Sequence, residues 1–343
     1  MKKFVVSDIH GQDKMLLKLL SHLDARFGDY KLYIIGDILD RGEGGYNIFK
    51  LITSPKYASK VALIKGNHED MLTKFVKITD PQDDAGVLAT YLYPNNGTMH
   101  TIHGIAKQML EQGLSLDSLQ SDTNCKLMCT EILATEFEDM FEALLMQHNV
   151  SATGYNIKLV ASSVYDRLKE MADYFENLPL YAIGNVQGDN YLLVHSGHVN
   201  MPTNPEYVTK WNSPIVCQNI QQLDNQYHNV FLSLRVFDKS TGLNVMPDSR
   251  FDGHIIVGGH TAIACITGNE QDKSVLFNVD ISGDVASIAL DGTSYEEERH
   301  LGVCGQLNCL CLDDYSQIIV KNDEKLTFGF KGCPAGINIK INE

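Results

Sequence analysis

Three short apolar runs of strand character, Lys3–Ser7, Leu32–Ile35 and Val61–Lys65, are each followed by apolar residues at helical spacing. Met15, Leu16, Leu19, Leu20, Leu23 and Phe27 follow the first, Ile48, Leu51 and Ile52 the second, and Met71, Leu72, Phe75 and Val76 the third. This alternation predicts parallel pairing with helices on the sheet faces. From about residue 80 to about 177 the β-rich alternation stops, and helices are predicted over about 100–112, 127–148 and 155–176. Between Thr130 and Leu145 the residues Ile132, Leu133, Phe137, Met140, Phe141 and Leu144 form an amphipathic pattern. No Gly/Ser- or Pro-rich linker flanks this region, so it reads as a helical cap inserted at about 111–174 into a single domain spanning 1–343. Strands return at Tyr191–His195, Ile255–Gly258, Val275–Val279, Val285–Leu290, Leu307–Leu312 and Gln317–Lys321, with a β-rich extension at about 321–343. The order fits an α/β (α+β) sandwich of two mixed sheets flanked by helices better than one doubly wound sheet.

The 343 residues, 44% of them hydrophobic, are enough for a substantial core. A net charge of −15 without any Lys/Arg-rich block argues against nucleic acid as a partner. A protein this acidic needs a local positive field to handle phosphates, and bound cations supply one. No stretch reaches membrane-spanning length, and the apolar run at the N-terminus is cut off by Asp8, too soon for a signal peptide. The eight cysteines, Cys125, Cys129, Cys217, Cys265, Cys304, Cys309, Cys311 and Cys333, form no Cys-x-x-Cys pair. They read as small buried hydrophobes in a reducing cytoplasm, with Cys309 and Cys311 on one face of a strand.

The chemistry lies where the strands end. Asp8-Ile9-His10, Gly36-Asp37-Ile38-Leu39-Asp40-Arg41-Gly42 and Gly66-Asn67-His68-Glu69 each follow one of the first three strands. Strand ends of a βαβ fold converge on one sheet edge, so these groups should share a cleft. Asp8 and His10, two apart, point to one side if the backbone stays in β geometry. A carboxylate such as Asp37 can bridge two cations about 3.5–4 Å apart, and Asn67 offers an amide oxygen suited to Mn²⁺ or Fe²⁺. His195 and His260, at later strand ends, can complete a second metal position. Alone, each piece is weak: Asp-x-His arises by chance, Asp40-Arg41 is the usual surface ion pair, and Gly-Asn-His is often only a turn. Together, in this order and all at strand ends, they are specific.

The set resembles the calcineurin-like metallophosphoesterases, and more closely their phosphoprotein phosphatase branch, the short bacterial and phage serine/threonine phosphatases. Ser7–Gly11, Gly36–Gly42, Gly66–Asp70, Val194–Gly197 and Gly259–Thr261 carry the resemblance. Tyr93–Thr98, Leu178–Leu180 and Gly305–Leu310 match more weakly. The resemblance implies the metallophosphoesterase fold and two divalent ions, manganese first, with iron, zinc or nickel as alternatives. Asp8, His10 and Asp37 would hold one ion, and Asp37, Asn67, His195 and His260 the other. A hydroxide between them would attack phosphorus in line. His68 would protonate the leaving group with Asp40 as its partner. Arg41, Asn67 and Arg235 would bind the phosphoryl group, with Arg250 as a rival to Arg235. The implied substrate is a phosphorylated protein or a small phosphate ester.

Some features depart from the pattern. Ser196 stands where alanine is common, His198 is extra, and Asn278–Ser282 stands where an Asp-Thr-Gly turn is expected, with an acidic run Tyr295-Glu296-Glu297-Glu298 after it. The rival within the fold is a symmetrical dinucleoside tetraphosphate hydrolase. Such enzymes typically lack the Asp40 carboxylate and carry Asp in place of Glu69. A phosphodiesterase or nuclease, and a silent binding protein on the same fold, are the remaining alternatives.

Overall fold

The computed structural model describes residues 1–79, 85–111, 129–135, 138, 157–196, 207–209, 228–295, 305–321 and 326–329. Strands β1 (Lys2–Val6), β2 (Tyr30–Ile35) and β3 (Val61–Ile64) pair in parallel. Helices α1 (Asp13–Arg26), α2 (Gly45–Thr53) and α3 (Asn67–Val76) follow them in turn. β11 (Gln306–Cys311), β12 (Gln317–Lys321) and β13 (Leu326–Gly329) extend the sheet with antiparallel pairing, in the order β13-β12-β11-β1-β2-β3. A second sheet has the order β4-β5-β8-β10-β9, from β4 (Tyr181–Val186), β5 (Asp189–Ser196), β8 (His254–Gly259), β9 (Leu276–Val279) and β10 (Val285–Ala289). A small ribbon pairs β6 (Tyr207–Thr209) with β7 (Val236–Asp238). The expected sandwich of two mixed sheets with helices outside is the observed architecture.

Strand alternation explains the layering. In β1, Phe4 and Val6 face the helices while Val5 faces the other sheet. Ile35, Ile64, Tyr191, Leu193, Ile255, Val257 and Leu310 join Val5 in the layer between the sheets. Leu192, Val194 and Ile256 point the opposite way, onto Phe231 and Phe251. Each fully buried aliphatic side chain of this kind contributes about 1.5–3 kcal/mol. Helix α4 (Ile157–Glu176) buries Val160, Val164, Leu168, Met171 and Phe175 in the same cluster as Phe75 and Tyr91. Residues 129–135 are helical and bury Cys129 and Leu133 there too; the rest of the expected helix over 127–148, apart from residue 138, lies outside the described residues. Among the described residues no helix is long and apolar enough to cross a membrane.

Three expectations are corrected. The hairpin formed by β4 and β5 begins one strand earlier than the sequence pattern indicated. Its two-residue turn, Gln187-Gly188, has φ of 52° and 99°, the doubly left-handed geometry of a tight hairpin. The turn over Asp280–Asp284 does not face the cleft: β10 runs parallel to β8 and antiparallel to β9, so it is the end of β10, at Asp291, that reaches the cleft. Finally, Cys265 is exposed, whereas Cys129, Cys309 and Cys311 are buried as expected.

Candidate metal centre

The loops after β1 and β2 are held in an unusual backbone state. Asp8, His10, Asp37, Asp40, Arg41 and His260 have φ between 46° and 67°. Non-glycine residues enter this left-handed region at a cost of roughly 1–3 kcal/mol each, and such strain concentrates at functional sites. The expected strict β geometry at Asp8 and His10 is therefore replaced by alternating turns. Backbone bonds compensate: His10 N–H donates to Asp37 O at 2.9 Å, and Gly11 N–H to Ile38 O at 2.9 Å. Glu69 is a second clasp. Its carboxylate accepts the backbone N–H groups of Asp37, Ile38 and Gly66 at 2.8–2.9 Å, tying the second and third loops together. Close approach also demands glycine. A Cβ at Gly36 would lie 2.5 Å from His195 Nδ1, and one at Gly259 would lie 2.1 Å from Asp8 Oδ2.

These loops bring the predicted ligands together. Asp37 Oδ2 lies 3.3 Å from His195 Nε2, 3.7 Å from His10 Nε2 and 3.8 Å from His68 Nε2. Asp8 Oδ1 is 4.0 Å from His10 Nε2, and both Asp8 oxygens accept the His260 backbone N–H. Asn67 Oδ1 sits 2.9 Å from His195 Nε2 and 3.1 Å from His260 Nδ1. The ligating atoms of His10, Asp37 and His68 lie within 4.8 Å of one another, as do those of Asp37, His195 and His260, so Asp37 is shared by two groups that can each hold an ion. The donor chemistry fits divalent cations. His10 Nδ1 contacts Leu39 O and His195 Nδ1 contacts Ile35 O, both at 2.9 Å. That is the arrangement by which metal-binding histidines turn the other ring nitrogen towards the ion.

The electrostatics agree. Burial opposes charge on Asp37, but the facing His195, His68 and His10 rings outweigh it and hold its carboxyl well below the usual range. Burial also opposes charge on His195, yet Asp37 and Asp8 lift it to about 10. Burial, with Arg41 and His68 adding to it, lowers His10 well below the usual imidazole value.

His68 has a different setting. Its Nδ1 lies 2.6 Å from Asp40 Oδ2, and Asp40 Oδ1 is held by Thr101 Oγ1 at 2.8 Å. Burial works against a proton on His68, but Asp37 and Asp40 raise its pKa overall. Its Nδ1 thus faces a carboxylate, where those of His10 and His195 face backbone carbonyls. Arg41 Nη1 lies 2.7 Å from His10 Nε2. Arg235 Nη2 donates to His260 O at 2.9 Å, at the edge of the same cluster. Arg250 instead binds Asp189 and Val285 O at the opposite end of the sheet, so it is no rival. His198 lies outside the described residues, and Ser196 Oγ donates to Leu234 O.

Sequence reasoning missed the turn after β10. Asp291 is buried there, and burial together with the neighbouring Asp8 pushes it up to about 8. Ser294 Oγ lies 2.6 Å from Asp8 O and 2.9 Å from Ile9 O. The available signal was the buried strand ending in Asp291-Gly292.

Residues 1–124 match the family model described as calcineurin-like phosphoesterase. The match to that family covers a little over a third of the chain. Among curated proteins it is 30% identical over 69 residues to the symmetrical bis(5'-nucleosyl)-tetraphosphatase of Enterobacter sp. (strain 638), a stretch covering 20% of this chain and 24% of that relative. The chain thus spans about a quarter of the length of the curated relative it matches. Solved structures similar to this chain include a protein serine/threonine phosphatase from Saccharomyces cerevisiae with similarity to human phosphatase PP5. It is 13% identical, with 97% of this chain and 82% of that one covered and a TM-score of 0.39. A metallophosphoesterase from Sphaerobacter thermophilus is 15% identical, with 96% and 86% covered and a TM-score of 0.34.

Proposed function

We propose that this phosphoesterase is a metal-dependent phosphoric monoester hydrolase whose substrate is a phosphoserine or phosphothreonine protein. Asp8, His10 and Asp37 would hold one divalent ion, and Asp37, Asn67, His195 and His260 a second, with manganese the first candidate. Ions bound there supply Lewis-acid polarisation of the phosphoryl group and acidify water. The chain's own groups do the rest. Arg41, with Arg235 at the other edge, grips the phosphoryl oxygens through planar guanidinium donors. His68 delivers a proton from Nε2 to the departing alkoxide, while Asp40 holds Nδ1 and Thr101 holds Asp40.

The observation that carries the reading is the 2.6 Å His68–Asp40 pair set beside the shared Asp37 carboxylate. A serine or threonine alkoxide is a poor leaving group and needs such an acid. A monoester dianion also presents three non-bridging oxygens, enough for both arginines and the ions, where a diester presents two. The net charge of −15 disfavours nucleic acids through long-range repulsion.

A second reading, symmetrical hydrolysis of dinucleoside tetraphosphates, draws support from the likeness to the Enterobacter enzyme. One experiment separates the two: kcat/KM of the Mn²⁺-loaded chain on phosphoserine, phosphothreonine and phosphotyrosine peptides, nucleotides and dinucleoside tetraphosphates. Phosphoserine or phosphothreonine peptides should lead, and chelator or Asp37→Asn should abolish turnover. A dinucleoside tetraphosphate leading by a wide margin would establish the second reading in place of the first.

A further inference from the structure

The turn after β10 forms a third wall of the cleft, and its construction is specific. Thr293, a β-branched residue, has φ of 53°, a conformation such residues adopt only when the surroundings impose it. Here they do. The buried Lys273 Nζ donates to Thr293 Oγ1 at 2.6 Å, Thr293 N–H donates to Asp291 Oδ1 at 2.8 Å, and Gln306 N–H donates to Gly292 O at 3.2 Å. Ser294 then ties the turn to the Asp8 loop through two backbone carbonyls. The chain leaves this anchored turn at Tyr295. Its half-buried ring meets His10 edge-on at 5.2 Å between centroids. The Arg41 guanidinium carbon stands 4.7 Å from the centre of the same ring.

We infer that Tyr295 is a positioning residue for Arg41: its ring face holds the guanidinium against the His10 side of the cleft, aimed at a bound phosphoryl group. The inference rests on the reading of Arg41 as a phosphate-gripping residue. Arg41 needs such a support. Its own backbone is left-handed, with φ of 62°, and its N–H is committed to Gly97 O at 3.1 Å. The backbone sets where the side chain starts, and its head is then placed by the 2.7 Å contact of one Nη with His10 Nε2 and by the Tyr295 ring. A stacked ring restricts the planar head and leaves its edge donors available. A tyrosine face attracts a guanidinium without competing for those donors.

The test is a cycle of Arg41→Ala, Tyr295→Leu and the double variant, with Tyr295→Phe alongside, all Mn²⁺-loaded. Affinity for inorganic phosphate is read by calorimetry, and KM and kcat with an aryl phosphate. Tyr295→Leu should weaken phosphate binding and raise KM about 3- to 20-fold, with a smaller change in kcat. Tyr295→Phe should hold affinity close to that of the natural chain, because the ring face remains. In the Arg41→Ala background Tyr295→Leu should add nothing. Tyr295→Met serves in place of the leucine variant if that one fails to fold. If Arg41→Ala itself leaves phosphate affinity unchanged, the grip reading fails and this inference falls with it. If Arg41→Ala weakens binding but Tyr295→Leu does not, or acts with full effect in both backgrounds, the inference alone is overturned. A loss in Tyr295→Phe equal to that in Tyr295→Leu would assign the effect to the hydroxyl and overturn it as well.

Discussion

Replacing Asp40 by Asn tests the proton donor with little change of shape. Asn fills the same volume and can keep the contact from Thr101 Oγ1, now 2.8 Å from Asp40 Oδ1. What disappears is the negative charge 2.6 Å from His68 Nδ1. A carboxylate that close shifts a neighbour by about 1–3 pKa units, and each unit lost costs roughly a factor of ten in the protonated form once the pKa falls below the assay pH. The loss on a poor leaving group should therefore be about 10- to 1000-fold, within the roughly 10²–10⁴-fold that general acid catalysis supplies. Asp40 helps to raise the pKa of His68, so in the variant the acid form is already lost at a lower pH, and the alkaline limb of the pH–rate profile moves down. The assay is kcat/KM across alkyl and aryl phosphates of graded leaving-group basicity, at several pH values. Activated aryl phosphates, whose phenolates leave unaided, should lose less than about threefold. A uniform loss across the series would refute proton donation by the His68–Asp40 pair and leave it a binding or structural role.

Further outcomes are expected elsewhere in the molecule. Gly259→Ala should lower bound manganese, measured by elemental analysis of the purified protein, because the new methyl would sit 2.1 Å from Asp8 Oδ2; full loading would show that the loop yields freely. Leu168→Ala, at a wholly buried position of α4, should cost about 2–5 kcal/mol in urea unfolding, and a loss under about 1 kcal/mol would place that helix outside the cooperative core. Asp24 accepts from Lys56 and Lys60 at 2.8 Å, Tyr57 at 3.0 Å and Tyr30 at 3.1 Å, and although burial works against its charge these donors hold its carboxyl below the usual range. A depressed carboxylate stabilises above its unfolded pKa, so Asp24→Asn should lower Tm near neutrality. The gap should close as pH falls below about 4, and a gap that persists in acid would rule out the charge as its source.

The first three strands, their helices and the meeting of the six proposed ligand residues in one cleft were legible because the signals were local: apolar runs with Asp8, Asp37 and Asn67 following directly behind them. The His68–Asp40 pair came from the family resemblance, and the distance between the two rests on the geometry of both loops. Strand β4 was hidden because it is an edge strand whose residues up to Asn185 are only half-buried or exposed, and its Gln187-Gly188 turn lacks the Asn or Asp that advertises such a bend. Asp291 was passed over because the direction of β10 is a property of pairing: two hairpin strands of similar apolar content lie side by side, and only the parallel partner β8 shows which end reaches the cleft. Glu69 was read as a branch marker, whereas its three backbone contacts join two loops that lie more than 30 residues apart in sequence.

The Asp8 carboxylate receives the His260 backbone across 252 residues. On a ribosome adding about 5–20 residues per second, roughly 13–50 s separate the synthesis of those two residues. During that interval the emerging chain carries Asp8, His10, Asp37 and His68 without the late histidines, and then His195 without His260. A nascent chain could offer no more than the first donor group, and the second would be assembled only once β8 lies between β5 and β10. Completion of the donor set is thus left to a late stage of synthesis, and a chain stalled before His260 lacks part of it.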